Sequence, residues 1–152
     1  MESWKPEQVQ QIWQRVQGHK DRDSFREDVC SGITELYAGE IQDSTLLFQL
    51  SRYFSGHNAA LLRAMAREDQ SHAAQIRGIC AISNKKPVVS QSRETGRPVI
   101  LLQRCCGRKT KRIYEYENRA SDPHYGYIFR KMAEQEQSHC RKLLSIIGRI
   151  QK

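Results

Sequence analysis

Apolar residues recur at three-and-four spacing along most of the chain, and no segment alternates with a period of two, so the pattern predicts an all-α protein. Val9, Ile12, Trp13 and Val16 mark a short N-terminal helix over residues 6–17, closed near Gly18. A second helix is predicted over 24–54. Ser24-Phe25-Arg26-Glu27 has the form of a capping box, and Ile33, Leu36, Leu47, Leu50 and Phe54 make the apolar stripe. Ser55-Gly56-His57-Asn58 breaks it. A third helix over 58–82 carries Leu62, Met65, Ile76 and Ile79, and a fourth over 99–120 carries Leu102, Cys106, Ile113, Tyr116 and Ala120. Ser121-Asp122-Pro123 starts the last, with Asp122 as the expected cap and Pro123 in the first helical position; its stripe is Ile128, Met132, Leu143, Ile147 and Ile150.

Residues 83–98 hold two prolines, a glycine and no apolar period. At roughly 3.3 Å per extended residue this stretch can travel about 50 Å, the length of a helical bundle. The chain therefore divides into an N-terminal helical extension, 1–22, and a four-helix unit, 23–152, whose two tight hairpins are joined by the crossover 83–98. That is the connectivity of ferritin-like four-helix bundles. A repeat agrees with it: residues 63–72 match residues 130–139 at a constant offset of 67, identical at six of ten positions, with Asp69 facing Glu136 at a seventh. His57 and His124 share the offset. A duplicated helical hairpin is the simplest reading.

The 152 residues carry 25 Lys+Arg against 17 Asp+Glu, a formal charge of +8. One domain of this length can bury a core without staples. No run approaches the roughly 18 apolar residues of a membrane span, which argues against a membrane partner, and the start Met1-Glu2-Ser3-Trp4-Lys5-Pro6 lacks signal-peptide character, so a cytoplasmic protein is expected. The five cysteines, Cys30, Cys80, Cys105, Cys106 and Cys140, form no Cys-x-x-Cys pair, and their odd number cannot close fully into internal disulfides; reduced, buried thiols are expected, with no zinc or rubredoxin-type iron site. The basic cluster Arg104, Arg108, Lys109, Lys111 and Arg112 fits no nucleic-acid-binding motif and reads as a solvated helix face, so nucleic acid is disfavoured as a partner.

The candidate chemistry lies on the apolar stripes themselves. Glu136 and His139 complete the three-and-four spacing of the last helix, Asp69 and His72 that of the third, and Glu40 falls on that of the second. Three carboxylates and two imidazoles should converge in one interior. Buried carboxylates must pair with a cation or bind a metal, and an acid and a histidine three apart on one face can offer oxygen and nitrogen to one ion. An ion-pair network with Lys109 or Arg108 stands beside ligation as the alternative. Tyr37, Tyr53, Tyr114 and Tyr116 read as packing residues, and Met65 and Met132 as core filler.

On Gly39-Glu40, Asp69-x-x-His72 and Glu136-x-x-His139, with these loop lengths and this crossover, the sequence resembles the rubrerythrin-like branch of the ferritin-like superfamily over residues 25–150. The resemblance implies a non-haem di-iron centre that reacts with peroxide or oxygen, with Glu40, Asp69, His72, Glu136 and His139 as metal ligands and an external electron donor. Three features depart from it. The family's ligand level on the 99–120 helix falls on Lys109, with Arg108 beside it, and Glu115 and Glu117 lie about 9 and 12 Å away along the axis. Asp69 stands for the usual Glu, and the cysteine-rich rubredoxin domain is missing. Lys109, being on the stripe, is expected to occupy the place of the missing ligand.

Two functions follow as expectations. The first is a rubrerythrin-like metal-binding protein with a degenerate site, a di-iron oxidoreductase if fully occupied, whose cofactor is iron as a pair or a single ion. The second is a non-enzymatic, metal-free bundle with a salt-bridged core, acting as a structural or interaction module. A homodimer is compatible with either.

Overall fold

The computed structural model describes residues 5–7, 30–80 and 94–151. Four helices form among them: α1 (Ile33–Ser51), α2 (Gly56–Cys80), α3 (Pro98–Arg119) and α4 (Gly126–Ile150). No strand occurs among the described residues. The helix predicted over 6–17 lies almost wholly outside them, as do the capping box at Ser24 and most of the crossover.

Each helix begins where its local chemistry changes. Gly32 precedes α1 with φ 71°, a left-handed conformation that an L side chain resists, and Glu35 in the first turn faces the positive end of the helix dipole. Pro98 opens α3 after an extended Arg97, since its missing N–H would have no intrahelical partner there. α4 starts three residues later than Pro123 suggested. The Asp122 carboxylate accepts the backbone N–H groups of His124 (3.0 Å) and Tyr125 (2.6 Å), which holds Pro123 in the turn and delays the helix to Gly126. Any side chain at Gly126 would run into the Ala120 carbonyl, so the close approach of turn and helix requires glycine.

α1 packs on α2 and α3 on α4 as hairpins, and α1 also meets α3 while α2 meets α4. Two apolar clusters result. One joins Leu46, Leu47, Leu50, Leu62, Met65, Leu101, Leu102, Leu143 and Ile146; the other joins Ile33, Leu36, Ile76, Tyr116, Phe129 and Met132. Each buried aliphatic side chain contributes roughly 1.5–3 kcal/mol. Between the clusters lies a buried polar layer of Glu40, Asp43, Asp69, His72, Lys109, Arg112, Glu136 and His139.

Several expectations change here. On α3 the buried thiol is Cys105 rather than Cys106, on α4 Phe129 is buried where Ile128 was expected, and Ile150 is exposed. Tyr53 and Tyr114 face solvent instead of packing. Cys30 and Cys80 are not free thiols: they form a disulfide, Cα–Cα 5.7 Å, that ties the entrance of α1 to the end of α2. Odd parity excluded only complete pairing, and the hairpin brings two distant cysteines together at one end. Such bonds persist mainly in oxidising surroundings. No helix among the described residues is long and apolar enough to cross a membrane.

Candidate functional site

The polar layer is built from matching positions of the two hairpins. Buried positions of α1 and α3 coincide at a separation of 69: Leu36 with Cys105, Glu40 with Lys109, Asp43 with Arg112, and Leu47 with Tyr116. α1 thus contributes an acidic pair three residues apart where α3 contributes a basic one. α2 and α4 supply Asp69 with His72 and Glu136 with His139, again at matching places.

Lys109 is at the centre. Its Nζ donates to Asp69 Oδ1 (2.8 Å), Asp69 Oδ2 (2.9 Å) and Glu136 Oε2 (2.7 Å), and lies 3.1 Å from His139 Nδ1. Burial alone would push the ammonium down; Glu136 and Asp69 outweigh it and keep Lys109 charged. Burial likewise acts to raise Glu136, but Lys109 and the two histidines hold it well below the ordinary carboxylate range.

Arg112 lies one turn further along α3. It donates through Nη2 to Asp43 Oδ2, and its Nε is 3.4 Å from Glu40 Oε1. Gly39 makes room for it, since a Cβ there would lie 3.0 Å from Arg112 Nη1. Tyr116 donates its hydroxyl to Glu40 Oε1 at 2.5 Å, while Glu40 Oε2 is buried without a hydrogen-bond partner among the described residues. Burial, then the neighbouring Glu136 charge, push Glu40 up to about 8, against His72 and Arg112.

Both nitrogens of His72 face oxygen: Nδ1 lies 3.1 Å from Glu136 Oε1 and Nε2 2.7 Å from Gln135 Oε1. Burial opposes its charge, but Glu136 and Glu40 hold it up to about 10, so the ring is an imidazolium at neutral pH. For His139, burial is outweighed by Asp69 and Glu136, which raise it to about 9. When protonated, its Nδ1–H points to Asp69 Oδ1 at 3.3 Å; when neutral, the same nitrogen accepts from Lys109 while Nε2–H donates to Glu68 Oε2 at 2.6 Å.

Four fully buried carboxylates, Glu40, Asp43, Asp69 and Glu136, meet two buried permanent cations, Lys109 and Arg112. Glu40 keeps its proton at neutral pH, and His72 and Arg108, whose Nη2 is 2.8 Å from Asp43, bring further positive charge to the layer. Arg108 is 26% exposed and reaches outward as well, gripping Glu94 of the crossover with Nη1 and Nη2 at 2.7 and 3.1 Å. The basic cluster is therefore no uniform solvated face. Lys109 and Arg112 are interior, Arg108 is half-buried, and only Arg104 and Lys111 are exposed.

Of the residues singled out in the sequence, Glu40, Asp69, His72, Glu136, His139 and Lys109 share this layer, while Arg108 borders it. Glu115 pairs with Arg119 at 3.2 Å and Glu117 accepts from Gln137 at 3.2 Å, both away from it. Asp43, Arg112, Glu68 and Gln135 were missed, and so was Tyr116's polar role. Helical spacing carried the signal for two: Asp43 is three residues beyond Glu40, and Arg112 three beyond Lys109. Glu68 and Gln135 were marked by the repeat, each directly preceding the inner carboxylate.

One donor atom from each of Glu40, Asp69, His72 and Glu136 lies within 4.8 Å of the others, so these four could hold a metal ion. Oxygen with one imidazole suits a divalent first-row ion. The Lys109 ammonium, however, is bonded to both Asp69 oxygens and to Glu136 Oε2, leaving Glu136 Oε1 toward His72, and it brings a positive charge where a second cation would have to sit beside the same carboxylates. The residues do not fit a two-metal centre. Comparison with protein-family models, curated proteins and solved structures finds no match to this chain.

Proposed function

We propose that the chain is a ferritin-like bundle, akin to rubrerythrins, in which a layer of buried ion pairs replaces the metal centre, and that it serves as a non-enzymatic structural or interaction module. The observation that carries this reading is the Lys109 ammonium, fully buried and donating to Asp69 and Glu136 together. It supplies from within the chain the charge that a cation would otherwise supply. The matching acid-and-histidine pairs on α2 and α4 support descent from a duplicated metal-binding hairpin. The test is to incubate the full chain anaerobically with ferrous ion, desalt it and add hydrogen peroxide. No retained iron and no peroxide-dependent oxidation are expected. Retention of two irons with stoichiometric peroxide consumption would sink the proposal.

A second reading has one observation in its favour, the grouping of Glu40, Asp69, His72 and Glu136. On that reading the layer holds a single iron or other divalent ion, weakly because Lys109 competes for two of its ligands, and redox work would need an external electron donor. Retention of one ion per chain in the same experiment would favour it.

A further inference from the structure

Cys106 on α3 and Cys140 on α4 are half-buried free thiols on two helices packed as a hairpin. Cys140 Sγ lies 3.8 Å from the Cys106 carbonyl oxygen and 3.9 Å from Thr110 Oγ1, and the Thr110 hydroxyl donates to that same carbonyl at 2.9 Å. The sulfur is thus seated on the single turn of α3 that begins at Cys106. Cys105 belongs to the apolar cluster instead and is fully buried.

We propose that Cys106 and Cys140 are an oxidisable pair, which a peroxide joins into a disulfide across α3 and α4. The two thiols lose two protons and two electrons as the S–S bond forms; the peroxide O–O bond breaks, takes up both, and leaves as two molecules of water when the oxidant is hydrogen peroxide. The second hairpin would then be tied as Cys30–Cys80 ties the first. Cys106 precedes Lys109 by one turn and Cys140 directly follows His139, so the bond would fix the two helices whose Lys109 Nζ and His139 Nδ1 are 3.1 Å apart. Oxidation would lock the polar layer from its edge. This inference does not depend on whether the layer holds metal.

The test uses the full chain, incubated with excess hydrogen peroxide, denatured in iodoacetamide, digested with trypsin and mapped by mass spectrometry. The expected result is a peptide pair joined through Cys106 and Cys140, lighter by the two hydrogens lost and released by dithiothreitol. Cys105→Ser should keep the link, whereas Cys140→Ser should lose it and leave Cys106 alkylated. A Cys106 that stays alkylatable in the oxidised wild type, a link through Cys105, or a link between two chains would overturn the proposal.

Discussion

His72 and His139 occupy matching places in the two hairpins and are held in matching ways. The outer nitrogen of His72 meets Gln135 at 2.7 Å, and that of His139 meets Glu68 at 2.6 Å. Each of these partners directly precedes the inner carboxylate of the opposite repeat, and the two rings stack with centroids 6.2 Å apart. The arrangement orients both rings inward from outside, as the outer partners of metal-bound histidines do. What differs between the hairpins is the facing helix, acidic at Glu40 and Asp43 but basic at Lys109 and Arg112.

Removing the central cation should therefore be costly. Lys109→Met leaves Asp69 and Glu136 buried with only the two histidine rings to offset them, and breaking a buried pair in this way costs about 3–5 kcal/mol. Urea denaturation at neutral pH should show that loss. A change below about 1 kcal/mol, the range of exposed ion pairs, would mean that Lys109 is not the charge that holds the layer together.

Stability should also decline toward alkaline pH. His72 and His139 are held up to about 10 and about 9, so the stability they contribute is whole below their ordinary value of 6.5 and is lost as pH rises through those points. Glu40 acts in the same direction. Raised from 4.5 to about 8, it keeps in the folded state a proton that the unfolded chain releases, so stability falls as pH climbs through that window. Glu136 has the opposite sign: depressed below 4.5, it contributes above that value and is lost as pH falls through its folded-state pKa. Urea midpoints should peak near about pH 5 and drop by about pH 9.5. A midpoint that rises over this interval would contradict the assignment of charges.

Gly39 and Arg112 should be coupled. Replacing a mid-helix glycine by alanine normally gains about 1 kcal/mol. Here the new methyl would crowd the Arg112 guanidinium, which Asp43 and Glu40 hold in place. Gly39→Ala should destabilise the wild type but stabilise an Arg112→Met background. The sign reversal can be read from a double-mutant cycle, and equal effects in both backgrounds would show that the guanidinium does not set the size of residue 39.

How far the sequence revealed this arrangement depended on which signal each residue carried. Glu40, Asp69, His72, Glu136 and His139 interrupt apolar stripes, so their inward direction was legible from helical period alone. Lys109 was legible for the same reason. Arg112 was not, because it sits in a run of five basic residues that resembles a solvated face, and only its three-residue spacing from Lys109 separates it from Lys111. Asp43 was hidden by reading Glu40 as a lone acid. The Cys30–Cys80 bond needed tertiary structure, since fifty residues separate the two and only hairpin closure brings them together. The start of α4 was misplaced because Pro123 satisfies the rule for a first helical position, yet Asp122 uses its carboxylate to close a turn instead.

If the Lys109 ammonium stands where a metal's charge would be, the metal content of the protein will reveal it. The wild type and Lys109→Glu are expressed side by side in iron-supplemented medium, purified without chelator and measured by elemental analysis. The wild type should hold far less than one metal ion per chain, and the Lys109→Glu protein should gain metal and lose it again when His72→Ala or His139→Ala is added. Two irons per chain in the wild type, with Lys109 intact, would contradict it.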